Sequence, residues 1–357
     1  MGSRGERSAH HHRDGTDTGR ERRPGGGIAA TQGVRRVSTT RRGDALSHWP
    51  DRGLYRNITF LPRLRVLRLN VLNASFRSGV EENNYPAPQF SKENLNYKNL
   101  TLVLGFHLLA IPAFFTFSWQ NLTALLLVNW LVGSLGVGLG WHRLLTHRSF
   151  KVPRWLEYTL TIFGTMSIQD SPDKWVATHR IHHRFTETEK DPHSTRSGFW
   201  WAQMGWVLWG RAQDHDAETL RRYIPDLLAD RGHRMISRWY FLPIIVSGIV
   251  LFMIGGWPMV FWGVFARVVV GWHTTWFVNS LSHMYGGRPH ATGDASTNNW
   301  FVALLTFGEG WHNNHHAFPS SARHGTEWYQ FDMNWIAIRI FERLGWATRI
   351  KINVNSA

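Results

Sequence analysis

Two uncharged stretches, Leu100 to Phe117 and Leu122 to Trp141, follow one another across only four residues, and a second pair, Tyr240 to Trp257 and Pro258 to about Ser282, meets at Gly255-Gly256-Trp257-Pro258. At 1.5 Å of rise per residue, each stretch is long enough for a helix to cross roughly 30 Å of hydrocarbon. The pattern predicts an all-α integral membrane protein with four transmembrane helices in two hairpins. Tight hairpins put both termini and the long middle segment on one side. The two short connectors hold no Lys or Arg, whereas the N-terminal segment, residues 143–238 and the C-terminal tail are dense in both. Positive charge stays with the cytoplasm, so a cytoplasmic cap and cytoplasmic termini are expected.

The absence of Cys excludes a disulfide framework, thiolate metal sites and cysteine catalysis. A net charge of +15 would by itself suit nucleic acid or an anionic lipid surface. The apolar spans and 20 Trp, a residue favoured at bilayer interfaces, decide for membrane lipid and against nucleic acid. Residues 1–85 are rich in Arg, Gly, Ser and Thr and read as a disordered basic tail, residues 86–335 as the membrane domain with its cap, and residues 336–357 as a C-terminal cytoplasmic tail. The stretches Trp155 to Ile168 and Gly198 to Trp209 are too short or too aromatic to span and are expected as interfacial helices.

Chemistry enters through histidine. Three clusters lie just beyond apolar segments: His142 with His147, His179 with His182 and His183, and His312 with His315 and His316. In the last two the i, i+3, i+4 spacing sets all three imidazoles on one helical face, where they can converge on a metal. His142 and His147, five apart, would splay on a regular helix, so the second span is expected to unwind there, after Gly136, Gly138 and Gly140. At the end of the fourth span Asn279 and His283 share a face, and Thr275 extends that stripe inward. Nine imidazoles exceed what one ion accepts, which implies two metals; imidazole suits iron, copper, zinc and nickel alike. His48, His193, His215, His233, His290 and His324 have no convergent spacing and are expected not to bind metal. His107 and His273 lie inside spans, where they suit an interhelical hydrogen bond or a cavity wall, and Arg267 should face the protein interior or snorkel.

Four stretches together resemble the membrane-bound fatty acyl desaturases of the stearoyl-CoA Δ9 type: Gly140 to Phe150, Trp175 to His193, Asn279 to His283, and Gly308-Glu309-Gly310-Trp311-His312-Asn313-Asn314-His315-His316-Ala317-Phe318-Pro319. The resemblance implies two irons held by His142, His147, His179, His182, His183, His283, His312, His315 and His316, with Asn279 reaching one iron through water. It implies that O2 and two electrons are used to place a cis double bond between C9 and C10 of a saturated acyl chain. An external ferredoxin or cytochrome b5 type donor with its reductase would supply the electrons. It also places Gln169, Trp175 and Thr275 at the bend of the substrate tunnel.

The sequence departs from the acyl-CoA members of that family at Ala177-Thr178, where they commonly carry Arg-Asp for the CoA moiety. Long-chain acyl-CoA is still the expected substrate, held by diffuse charge from Arg211 with Arg148, Lys151, Lys174, Arg180, Arg184 and Arg196. The alternatives are an acyl-lipid desaturase and a related di-iron membrane hydroxylase. A metal transporter would place its ionisable groups at mid-bilayer, and a bis-His haem carrier would need paired axial ligands rather than three-histidine faces.

Overall fold

The computed structural model describes residues 90–210 and 213–353. The basic N-terminal tail, Arg211 and the last four residues lie outside the described residues. Among the described residues the regular structure is helical, with only isolated bridges such as Lys151 with Thr348 and Gly287 with Asn298.

Three helical runs are long and apolar enough to cross a membrane: Tyr97–Phe115, Trp119–Thr146 and Leu242–His283. The first two start at side-chain caps. Asn96 accepts from the amide of Asn99 and Ser118 from that of Asn121, satisfying amides that have no partner within the helix. The third run contains both of the later stretches expected as separate spans. Helical backbone is lost inside it at Gly255 (φ −143°, ψ 16°) and Gly256 (φ 65°, ψ −162°), the latter a conformation that glycine adopts without steric cost. Leu251 packs on Gly263, and Gly248 faces Val264. The two halves therefore lie side by side, reversed about the glycine pair.

Large apolar side chains point outward from these runs, among them Leu104, Leu108, Phe114, Ile245, Ile249 and Met253. A continuous apolar exterior of this kind suits hydrocarbon rather than water. Inward, Val103, Val132, Leu251, Val264, Val268 and Trp272 form a core shared by the runs. His107 Nε2 lies 3.1 Å from His273 Nε2, so these two tie the first run to the last. Arg267 is buried, facing the interior.

The second run is α-helical over Trp119–Asn129 and π-helical over Trp130–Thr146. It does not unwind as expected; it widens. The helix Arg154–Thr165 presses against it so closely that a Cβ on Gly136 would clash with the backbone of Phe163 and Gly164. That helix buries Leu156 and Leu160 and leaves Trp155 exposed, so its inner face packs on the second run. In the expected interfacial stretch near residue 200, Trp200 is exposed but Ala202, Trp206 and Leu208 are buried. The helix Met333–Arg343 closes the other side of the second run, where Ser134 Oγ donates to Asn334 Oδ1 at 2.6 Å.

Candidate active site

The π winding explains how His142 and His147 come to share a face. Its i→i+5 bonding, seen where the amide of His147 donates to the carbonyl of His142 at 3.1 Å, stacks residues five apart. Their ring centroids are 4.8 Å apart. The helix Pro172–Phe185 carries His179, His182 and His183, with Pro172 at its first turn, where a missing amide proton costs nothing. On its other side Arg180 pairs with Asp226 at 2.8 Å and donates to the carbonyls of Leu145 and Tyr223, fixing the helix's rotation. His283 ends the last apolar run in a 3₁₀ turn, and the short helix His312–Ala317 supplies His312, His315 and His316.

These nine rings form two groups whose candidate ligand atoms lie within 4.8 Å of one another: His142, His147, His179, His183 and His315, and separately His182, His283, His312 and His316. Each group draws on several segments, and the helices 172–185 and 312–317 contribute to both. Within the first group, His315 Nε2 lies 3.1 Å from His142 Nε2 and 2.9 Å from His183 Nε2, and His183 Nε2 lies 3.1 Å from His179 Nε2. In the second, His312 Nε2 lies 3.1 Å from His316 Nε2.

A neutral imidazole has one N–H and one lone pair, so a ring of mutually facing Nε2 atoms cannot satisfy itself by hydrogen bonding. Among the described residues the buried Nε2 atoms of His147, His182 and His283 have no hydrogen-bond partner. A cation at each focus would satisfy them, and the donor set suits it. Burial, reinforced by neighbouring histidines, pushes His179, His183, His312, His315 and His316 well below the usual imidazole range, which keeps them neutral and able to ligate.

The outer nitrogens are held by carboxylates. His142 Nδ1 lies 2.5 Å from Glu309 Oε2, His182 Nδ1 2.9 Å from Asp191, His283 Nδ1 3.2 Å from Glu187, and His316 Nδ1 2.7 Å from Asp294. Such partners fix the tautomer so that Nε2 points inward with its lone pair free. Glu309 also receives Arg143 Nη2 at 2.8 Å, and Arg143 Nη1 reaches Asp332 at 3.0 Å. Burial alone would raise the Glu309 carboxyl, but Arg143, His324 and His142 outweigh it and hold it well below the usual carboxylate range.

Two histidines whose spacing in the sequence shows no convergence, His193 and His324, nonetheless lie against the clusters. His324 Nδ1 lies 3.3 Å from Glu309 Oε2, and its ring centroid is 4.5 Å from that of His315. The His193 ring lies tilted against His182 with centroids 4.3 Å apart, and it groups with His182 and Asp191. Both arrive on irregular chain, where no helical period marks them in the sequence. His193 is buried, which pulls its ring down to about 3.

Beside these clusters run two cavities. One reaches the surface past Lys98, Asn99, Leu102 and Tyr240; the other extends among Val132, Gly133, Gly271, Thr274 and Phe307. Both are lined by Gln169, Trp175, His179, Thr275 and Asn279. At that junction Trp175 Nε1 donates to Gln169 Oε1 at 3.1 Å, and Gln169 Nε2 donates to Thr275 Oγ1 at 3.1 Å. Gln169, Trp175 and Thr275 thus form one hydrogen-bonded bridge in the wall common to the two cavities.

Ala177 faces neither cavity. It is fully buried in an apolar cluster with Trp141, Leu145, Ile224 and Leu227, so no headgroup contact can be made from that position. Thr178 lines the outer cavity and its hydroxyl contacts His215 Nε2 at 2.8 Å. Among the cationic residues expected to hold a phosphorylated carrier, Arg148 and Arg180 pair with Asp226, and Lys174 pairs with Asp170.

Residues 118–349 match the model of the fatty acid desaturase family. The chain is 44% identical over 264 residues to the sn-1 stearoyl-lipid 9-desaturase of Anabaena variabilis, covering 73% of this chain and 96% of that one. It is 42% identical over 257 residues to the sn-2 palmitoyl-lipid 9-desaturase of Nostoc sp., covering 72% and 90%. It is also 45% identical over 256 residues to the acyl-CoA 5-desaturase AL21 of Anemone leveillei, covering 71% and 79%. With the family model spanning well over half its length and its motif histidines gathered into two clusters beside the cavities, the chain is a member of the fatty acid desaturase family.

Proposed function

We propose that this desaturase introduces a cis double bond between C9 and C10 of a saturated acyl chain, with two irons held by the nine histidines. The observation that carries the reading is the constriction of Gln169, Trp175 and Thr275 at the junction of two cavities, with His179 in the same wall. His142, His147, His179, His183 and His315 would hold one iron; His182, His283, His312 and His316 the other, with Asn279 completing it through water. We read four crossings, the third and fourth folded back at Gly255-Gly256, and the distribution of Lys and Arg supports a cytoplasmic cap and cytoplasmic termini.

An unactivated C–H bond offers nothing to an acid or a base, and the irons, when bound, supply the oxidising power drawn from O2. The balanced reaction removes two hydrogens from the chain and, with two electrons and two protons, reduces one O2 to two waters. The donor is an external ferredoxin or cytochrome b5 type carrier with its reductase. The chain's own residues bind and place the substrate. The apolar inner cavity excludes water, and the bend holds one pair of methylenes beside the histidine clusters, so that proximity does much of the work. Glu309, Asp191, Glu187 and Asp294 keep the histidine tautomers fixed.

The carrier is best read as a membrane lipid. The cavity mouth includes Leu102, exposed on the flank of the first apolar run, where a lipid can enter sideways. Buried Ala177 and the internally paired Arg180 and Lys174 leave less for CoA phosphates, and relatives of both kinds are at similar identity. Expression in a host unable to make unsaturated fatty acids tests the activity: a cis-9 monoene in its lipids is the expected product, and an alcohol would point to a hydroxylase. Purified enzyme given stearoyl lipid and stearoyl-CoA side by side decides the carrier.

A further inference from the structure

The loop that carries Gln169 is strained and anchored at the same time. Ile168 and Asp170, on either side of Gln169, both occupy the left-handed region, with φ of 53° and 70°. A β-branched residue such as Ile168 enters that region only when its surroundings hold it there. The holding groups come from one helix, Arg267–Ser280. Arg267 Nη1 donates to the carbonyl of Met166 at 2.8 Å, and Trp272 Nε1 donates to the carbonyls of Ser167 at 3.0 Å and Ile168 at 3.1 Å.

Three successive carbonyls leading into Gln169 are therefore fastened by two buried side chains. The same helix then receives the Gln169 side chain at Thr275. Arg267 is costly to place at this depth, and its partners are carbonyls, those of Met166 and Gly263. A group retained at such a cost, whose bonds among the described residues go to backbone, is suited to fixing the path of a chain.

We propose that Arg267 and Trp272 are positioning residues that determine where along the acyl chain the double bond falls. They act by locking residues 166–170 so that the Gln169 amide stays at the bend. The proposal rests on the desaturase activity given above. Distance along the tunnel from mouth to bend selects which methylene pair lies beside the histidines. If the loop is released, Gln169 shifts relative to Thr275 and a neighbouring pair competes for that place.

The test is the position of the double bond, which a merely structural role would not move. Wild type, Trp272→Phe, Arg267→Lys and Ile168→Gly are expressed in the same host, and the double bonds of 16- and 18-carbon products are located by mass spectrometry of derivatised methyl esters. Trp272→Phe keeps an aromatic ring and loses the donor; Ile168→Gly relieves the left-handed backbone and leaves both anchors in place. Wild type should give one positional isomer, and Ile168→Gly should keep it. Trp272→Phe and Arg267→Lys should give a second isomer rising to roughly a tenth of product or more, the change of ratio that loss of one hydrogen bond allows. Should Arg267→Lys fail to accumulate, Trp272→Phe decides. An unchanged position in Trp272→Phe, whatever the yield, or an equal second isomer in Ile168→Gly, overturns the proposal, whereas absence of any double bond in the wild-type arm overturns the desaturase reading instead.

Discussion

Gln169 Nε2 and Thr275 Oγ1, 106 positions apart in the chain, meet at 3.1 Å where the outer and inner cavities join. Trp175 completes the constriction from the other side of the amide. This contact links the loop leading into the helix Pro172–Phe185 to the last apolar run. Its chemistry is modest, one neutral hydrogen bond, but it lies in the wall that the two cavities share.

Two substitutions at Thr275 separate shape from bonding. Thr275→Trp should fill the junction and stop turnover of long chains, or shorten the chain accepted. Thr275→Val keeps the volume and removes the bond, worth about 1 kcal/mol, so activity should persist with a reduced rate. Unchanged kinetics and unchanged product position in the Trp variant would mean the substrate does not pass this point. Product chromatography on a chain-length series provides the measurement.

The division of the histidines into five and four predicts metal stoichiometry. Protein purified without chelators should contain about two iron per chain, since nine nitrogens are divided between two foci. His283→Ala should lower that to about one while His182, His312 and His316 remain. His315→Ala should abolish turnover with the apolar runs still inserted, because insertion follows hydropathy. Elemental analysis beside a protease-protection assay reads both; zinc alone in active protein would contradict the iron assignment.

Glu309→Gln should weaken the fold as well as the site. The carboxylate balances buried Arg143 and orients His142; the amide retains the shape and loses the charge. Breaking one partner of a buried pair costs about 3 kcal/mol, here softened by Asp332, which still reaches Arg143. A lower melting temperature in detergent is expected, together with reduced iron content.

Ala177→Arg bears on the carrier. In a chain where that position faced CoA, the added guanidinium would tighten acyl-CoA binding. Here the side chain would enter the cluster of Trp141, Leu145, Ile224 and Leu227 with no charge to meet it. A loss of several kcal/mol in stability is expected, on the order of 3 kcal/mol or more, with no fall in KM for stearoyl-CoA. A fall in that KM would show that the side chain escapes to the headgroup site.

Acid stability should depend on Asp226. Half-buried, it would be raised by desolvation, but Arg180 and Arg148 hold it at about 2, below its ordinary 3.8. A depressed carboxyl contributes stability above its unfolded value and loses it as pH falls through the folded one, here between about 4 and 2. Partial exposure screens the pairing, so the contribution is on the order of 1 kcal/mol. Asp226→Asn should lower the melting temperature at neutral pH, remove that part of the acid transition, and leave the melting temperature at or below about pH 2 little changed.

The sequence by itself determined the apolar runs, the three histidine clusters with His283, and the glycine pair at which the last run reverses. All of these depend on local period or composition. Hydrophobicity along a segment sets whether it can cross hydrocarbon, and an i, i+3, i+4 spacing sets a face whatever surrounds it. What it could not supply was the partition of the nine imidazoles. The clusters at 179–183 and 312–316 each divide between the two foci, because neighbouring positions on one face point to different centres only once a second helix stands opposite. The widening of Trp130–Thr146 into a π-helix was equally hidden, since it accompanies close packing against Gly164 and makes five-residue spacing serve where four would be expected. His193 and His324 come to the clusters on loops, and a loop carries no period from which a direction can be read. Ala177 looked in sequence like a lost headgroup contact; tertiary burial made it a core residue, because which face of a helix meets solvent is decided by what packs against it.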